Sequence, residues 1–139
     1  MSTSKILVAG VVAGIVGFFL GFLVYGNLLM DFFSSNGGSA QGVQRNEEEM
    51  IWWALIVGHL LWGILLAYIF GQWATISTAA TGAKSGAVIG LLMSGFWNLV
   101  MYATTNLYNL TAVLADIVIG AVLTAIVGAV AAWMLGRGR

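Results

Sequence analysis

The chain has no cysteine, no proline, one histidine and ten charged side chains in 139 residues. The missing cysteines exclude disulfides, thiolate nucleophiles and Cys-ligated metals or clusters. The missing prolines leave helices without the residue that most often kinks them. The shortage of charge says most. Charged residues make up 7% of the chain, against roughly 25% in soluble domains. So few charges cannot keep a folded surface wet, and 60% hydrophobic residues exceed what a core of this size can bury. Lipid must solvate much of the surface. The formal net charge is zero, so no polyanion is attracted and no nucleic-acid partner is expected.

What the chain does have is apolar runs of about 20 residues, the length that crosses a bilayer as helix. Four are expected, over 6–30, 50–70, 83–103 and 110–135. The first is too long for the apolar region of a cleaved signal peptide and is read as a retained helix. The connections are short except for 31–49, which holds the flexible polar stretch SSNGGSAQG and then Glu47, Glu48 and Glu49. Those carboxylates are expected to open the second helix, where the dipole favours negative charge. Four crossings put Lys5, Lys84, Arg137 and Arg139 on one side and Arg45 on the other. The positive-inside rule then places both termini in the cytoplasm. Trp52, Trp53, Tyr102 and Tyr108 fall near the outer interface, Trp73 and Trp133 near the inner one, as an aromatic belt would.

Glycine is abundant, and its spacing is regular. Gly10, Gly14, Gly17 and Gly21 repeat at four-three-four steps, within about 60° of one another on a helical wheel. The third span carries Gly82, Gly86, Gly90 and Ser94. The fourth carries Ala112, Asp116, Gly120, Thr124, Gly128 and Ala132. Such small-residue rows let helix backbones approach closely, within one bundle or between subunits.

Toward the outer side these rows turn polar. Gly21 leads to Tyr25, Ser94 to Asn98, Tyr102 and Asn106, and Gly120 is preceded by Asp116. Tyr25, Asn98 and Asp116 should lie at one depth, roughly 7 Å below the outer helix ends. A polar pocket is therefore expected there, with Asp116, Asn98, Tyr102, Tyr25, Asn106 and His59 as candidate residues. Asp116 alone among the charges lies inside a span, where a carboxylate is expensive and needs partners or a function. It is either a hydrogen-bond acceptor satisfied by neighbours such as Asn98 or Tyr102, or the site of an ion, a proton or a small ligand. His59, near mid-span and flanked by Trp52, Trp62 and Gly63, is either a neutral residue bonded across helices, with Asp116 as one candidate partner, or an axial ligand of a tetrapyrrole. Its segment ALIVGHLLW resembles the histidine-bearing segment of bacterial light-harvesting polypeptides. No catalytic constellation is present, because there is no second His, no Cys and no pair of carboxylates within the spans.

The stretch YATTNLYNLTAVLADIVIGAVLTA, Tyr102 to Ala125, resembles the last two helices of small four-span bacterial membrane proteins of uncharacterised function. The matching residues are Tyr102, Thr105, Asn106, Leu107, Asp116 and Gly120. Several such proteins have an aromatic residue before that Gly, where Ile119 stands here. The resemblance covers about residues 82–135. It implies the four-helix fold and draws attention to Asp116, and it implies no activity.

The expectation is an all-α, up-down bundle of four transmembrane helices in a single domain, 1–139, with both termini cytoplasmic, in a bacterial inner membrane. It would be a non-enzymatic protein that works through helix packing along Gly10, Gly14, Gly17, Gly21, Gly86, Gly90, Gly120 and Gly128. Its partners would be the lipid bilayer and either further copies or other membrane subunits. No metal or cofactor is expected beyond the tetrapyrrole alternative at His59. A second function class is a small ion, proton or solute transporter using Asp116.

Overall fold

The computed structural model describes residues 1–138, so Arg139, counted above among the inner cations, lies outside the described residues. Its five helices are α1 (Thr3–Leu23), α2 (Met30–Ser35), α3 (Trp52–Tyr68), α4 (Ala79–Thr104) and α5 (Leu110–Gly136). Wider π-helical turns extend α1 over Val24–Leu28 and α3 over Ile69–Ala74. With these extensions four helices are long and apolar enough to cross a membrane: Thr3–Leu28, Trp52–Ala74, Ala79–Thr104 and Leu110–Gly136. No strand forms among the described residues; one isolated bridge pairs Gly37 with Tyr108.

Side chains cap three of the four long helices. Ser2 accepts from Lys5 N, Thr78 from Thr81 N, and Asn109 from Ala112 N, each satisfying a donor that the first helical turn leaves unpaired. The start of α3 differs from expectation. Ile51 stands at its cap without a side-chain bond, and no acidic residue lies in its first turn. Glu47–Glu49 form a separate turn, closed by Glu49 N to Asn46 Oδ1 and Met50 N to Glu47 O. The backbone bond leaves the carboxylates in solvent and starts the helix only at the apolar Trp52.

The helices pack in the order α3–α1–α5–α4, with α1 and α5 central. All three interfaces are antiparallel. Gly10 meets Ile64 and Gly14 meets Leu60 across α1–α3. Gly86 meets Thr124 and Gly90 meets Gly120 across α4–α5. Gly17 meets Val127 across α1–α5, and Lys5 Nζ donates to the Arg137 carbonyl at 2.9 Å. The amino terminus and Arg137 therefore share one end of the bundle, the terminal end; the 31–49 and 105–109 loops form the other, distal end.

The glycine rows are the contacts themselves. A Cβ at Gly14 would stand 2.6 Å from His59 O and 2.8 Å from Leu60 Cα, closer than real Cβ atoms come to other heavy atoms. Gly63 sits reciprocally against Gly10 and Gly14, so α1 and α3 touch backbone to backbone. The main apolar cluster lies in the terminal half: Ile6, Ala9, Ala13, Leu66, Ala67, Phe70, Val127, Ala131, Ala132 and Leu135; at the distal end only Ala112 and Val113 of α5 are buried apolar residues among those described. Beyond Gly17 no residue of α1 is buried. The distal half is held by other means.

Crowding of backbone by a new Cβ predicts a sharp contrast between glycines. Gly14→Ala should destabilise the monomer by about 1–3 kcal/mol through overpacking, and Gly14→Leu should part α1 from α3. Gly58→Ala, with nothing within 4 Å of its Cβ position, should stabilise the monomer by up to about 1 kcal/mol. Unfolding midpoints of the monomer in detergent measure the difference.

Candidate polar site at Asp116

The distal half is joined through one carboxylate. Asp116 lies in the second turn of α5. Its Oδ1 accepts from the Tyr25 hydroxyl at 2.5 Å, on the π turn that ends α1. Its Oδ2 accepts from Asn98 Nδ2 at 2.8 Å, on α4. Three helices thus meet at one side chain. The same α4–α5 junction carries Ser94, whose Oγ donates to the Asp116 backbone carbonyl at 3.2 Å. Asn98 Nδ2 also reaches Ser94 O at 2.9 Å. Ser94 takes the fourth position of the Gly82–Gly86–Gly90 row, and its side chain fills the space a Cβ on Gly120 would need. Small residues bring the backbones together, and that approach lets short side chains span the gap.

The described partners of the carboxylate are neutral, a phenol and an amide. A carboxylate has about four acceptor positions, so two bonds leave capacity unused. That capacity faces a pocket of about 130 Å³ lined by Asn98, Tyr102, Thr105, Tyr108, Val113 and Asp116, among others. Liquid water takes about 30 Å³ per molecule, so the pocket is large enough for a few waters or a small cation or amine.

A lid covers this end. Phe33 of α2 packs against Tyr25 and Tyr108, with ring centroids 5.5 and 5.9 Å away. Past α2 the chain pairs with the α4–α5 turn: Gly38 N donates to Leu107 O, Ala40 N to Asn106 O and Asn109 N to Asn36 O. Gln44 Nε2 donates to the Tyr108 hydroxyl at 2.6 Å. The polar stretch expected to be flexible is therefore tied down, because Gly38, lacking a Cβ, lies directly against the Asn106 carbonyl. Burial pushes the Tyr108 phenol above its ordinary range, and the charge on Asp116 adds to the rise.

Tyr25, Asn98 and Asp116 are brought into direct contact, and Tyr102 lines the adjoining pocket. Asn106 lies in the turn, where its backbone carbonyl holds the lid and its side chain is exposed. His59 is apart from the cluster. Its Nδ1 donates to Leu55 O at 2.7 Å, one turn back on its own helix, and its ring meets Phe18 and Trp62 edge-on. The expected bond across helices does not form, because α3 faces α1 at this level and the Leu55 carbonyl is nearer than any polar group of α5. Nε2 lies 3.1 Å from where a Gly21 Cβ would stand, so a macrocycle on that nitrogen would have to displace α1. Among the described residues no three His, Cys, Asp or Glu side chains gather as a metal site. The lid residues Phe33, Asn36 and Gln44 carry no periodic signal in the sequence. The Gly37–Gly38 pair is the nearest cue to a close backbone approach.

Removing one donor should weaken the distal half without opening the lid. Tyr25→Phe is expected to lower stability by about 1.5 kcal/mol, the lower end for a bond to a charged acceptor, while keeping the ring contact with Phe33. Phe33→Ala should instead free the 36–44 segment to protease with a smaller loss of stability. Unfolding midpoints and limited proteolysis distinguish the two. Comparison with protein families, with curated proteins and with solved structures finds no match to the chain.

Proposed function

We propose that this is a four-span integral protein of a bacterial inner membrane, with both termini cytoplasmic. It acts without catalysis as a homo-oligomer or as an accessory subunit of a membrane complex, and it carries a lidded polar pocket at its outer end. Four apolar helices support the membrane reading, as does the exposure of Leu92, Phe96 and Trp97, each more than 60%. Such a face is a liability in water. The gathering of Lys5, Lys84 and Arg137 at the terminal end supports the orientation.

The observation that carries the assembly reading is a contrast among glycines. The glycines of the packing rows each meet a neighbouring helix or its side chains. Gly58 on α3 and Gly95 on α4 have nothing within 4 Å of their Cβ positions. Each weakens its helix by about 1 kcal/mol relative to alanine, with no compensation inside the chain. Ala54, Leu61 and Leu65 share the exposed face of Gly58, and Leu92 and Leu99 flank Gly95. These are faces onto which another transmembrane helix can pack closely.

A second reading follows from the unused acceptor capacity of Asp116 at its pocket: a small transporter or channel for a cation or proton. Asp116→Asn can keep both neighbours through a reoriented Tyr25 hydroxyl while removing the charge. Lost cation or proton uptake in proteoliposomes, with assembly intact, would support transport. Loss of stability alone would assign the carboxylate to structure.

Gly58→Leu and Gly95→Leu are expected to keep or raise the monomer's stability, by up to about 1 kcal/mol as a better helix former replaces glycine, and to abolish the larger species seen by crosslinking in native membrane. Unchanged crosslinking would remove the assembly reading. Single cysteines in this cysteine-free chain test orientation: Ser39→Cys should react with an impermeant thiol reagent on intact cells, and Ser2→Cys should react only after lysis.

A further inference from the structure

At the terminal end, α3 and α4 share no packed interface, and the gap between them is an open groove of about 400 Å³. Ile69, Phe70, Ile76, Val88 and Ile89 form most of its wall, and Lys84 and Ser85 stand on its α4 side. The cations of this end are not equivalent. Lys5 is bonded to the Arg137 carbonyl, and the Arg137 guanidinium lies 4.9 Å from the centroid of the Trp133 ring. The Lys84 ammonium has no hydrogen bond or ion pair among the described residues. Nor can the chain supply one nearby. Its five carboxylates are Asp31, Glu47, Glu48, Glu49 and Asp116, and all belong to the distal loop or the distal half of α5. A permanent cation thus stands beside an apolar groove, at an end of the molecule that has no acidic side chain.

We propose that this groove binds an anionic phospholipid of the leaflet at the terminal end. One acyl chain lies between α3 and α4 along Ile69, Phe70, Val88 and Ile89, and the headgroup phosphate pairs with Lys84. The lysine reaches the headgroup level by extending its aliphatic stem along the groove wall. Ser85 adds a neutral hydroxyl on the same side. The phosphate supplies a counter-charge that no acidic side chain offers at this end, and the acyl chain fills the open groove between the two helices. This inference rests on the membrane reading, but on neither the assembly reading nor the Asp116 pocket.

The test is lipid retention by native mass spectrometry of the full chain after extraction from vesicles of phosphatidylglycerol and phosphatidylcholine in equal parts. The wild type should retain phosphatidylglycerol preferentially. Lys84→Gln should reduce that preference roughly fivefold, the equivalent of about 1 kcal/mol for one basic residue at a membrane surface. Lys84→Arg should restore it. Val88→Trp, at an exposed groove position, should reduce retention with the charge intact. Both substituted side chains are exposed, and unchanged unfolding midpoints would confirm that each variant folds. Equal retention of both lipids, or an unaltered preference in Lys84→Gln, would overturn the proposal. Full retention by Val88→Trp would overturn the acyl groove. Displacement of the lipid by inorganic phosphate alone would show a phosphate site instead of a lipid site.

Discussion

The distal half of the molecule depends on the Asp116 carboxylate. In the terminal half, α1, α3 and α5 bury a continuous apolar core. In the distal half most of the apolar surface faces outward, with Ala112 and Val113 buried, and α1, α4 and α5 converge on two oxygens of one side chain. Where apolar burial between helices is sparse, hydrogen bonds to a charge add a strong means of attachment. The carboxylate in turn needs those donors, because a half-buried charge without partners would be costly.

Close backbone approach makes that arrangement reachable. Hydroxyl, amide and carboxylate groups on short side chains span only a few ångströms. Asn98 and Ser94 reach Asp116 because Gly86 and Gly90 have already brought α4 against α5. Tyr25 comes from farther away, on α1, and uses a long rigid ring. The lid follows the same logic: Gly38 gives up a side chain so that one loop can hydrogen-bond to another above the carboxylate. Packing and polarity are coupled here, and a bulky residue in the glycine rows would disturb the polar cluster as well as the helix contact.

The two outer helices share a different property. Neither α3 nor α4 is enclosed, and each shows an open glycine to its surroundings. Between their terminal ends lies the groove beside Lys84. A chain this small has two central helices that complete its own structure and two flanking helices whose remaining faces are left to whatever surrounds them.

Much of this was legible in the sequence. The four long apolar helices, the glycine rows and the shared depth of Tyr25, Asn98 and Asp116 follow from run length and helix periodicity, because in a long helix nearly every position has a fixed rise and angle. Which helices are neighbours was not legible. Gly10 and Gly14 fit α3, α5 or a second copy equally well by spacing, and only packing put α3 on that face. For the same reason His59 turned to its own helix instead of to Asp116. The acidic run read as a helix start because local charge preference was the only cue; a backbone turn decided otherwise. The lid could not be read because loop pairing between residues 36–40 and 106–109 depends on contacts far apart in the chain and has no period. The sequence by itself determined which segments are helices and which of their faces are small or polar. The tertiary structure alone decided which faces meet, since interhelical contact depends on the mutual fit of surfaces that no single helix encodes.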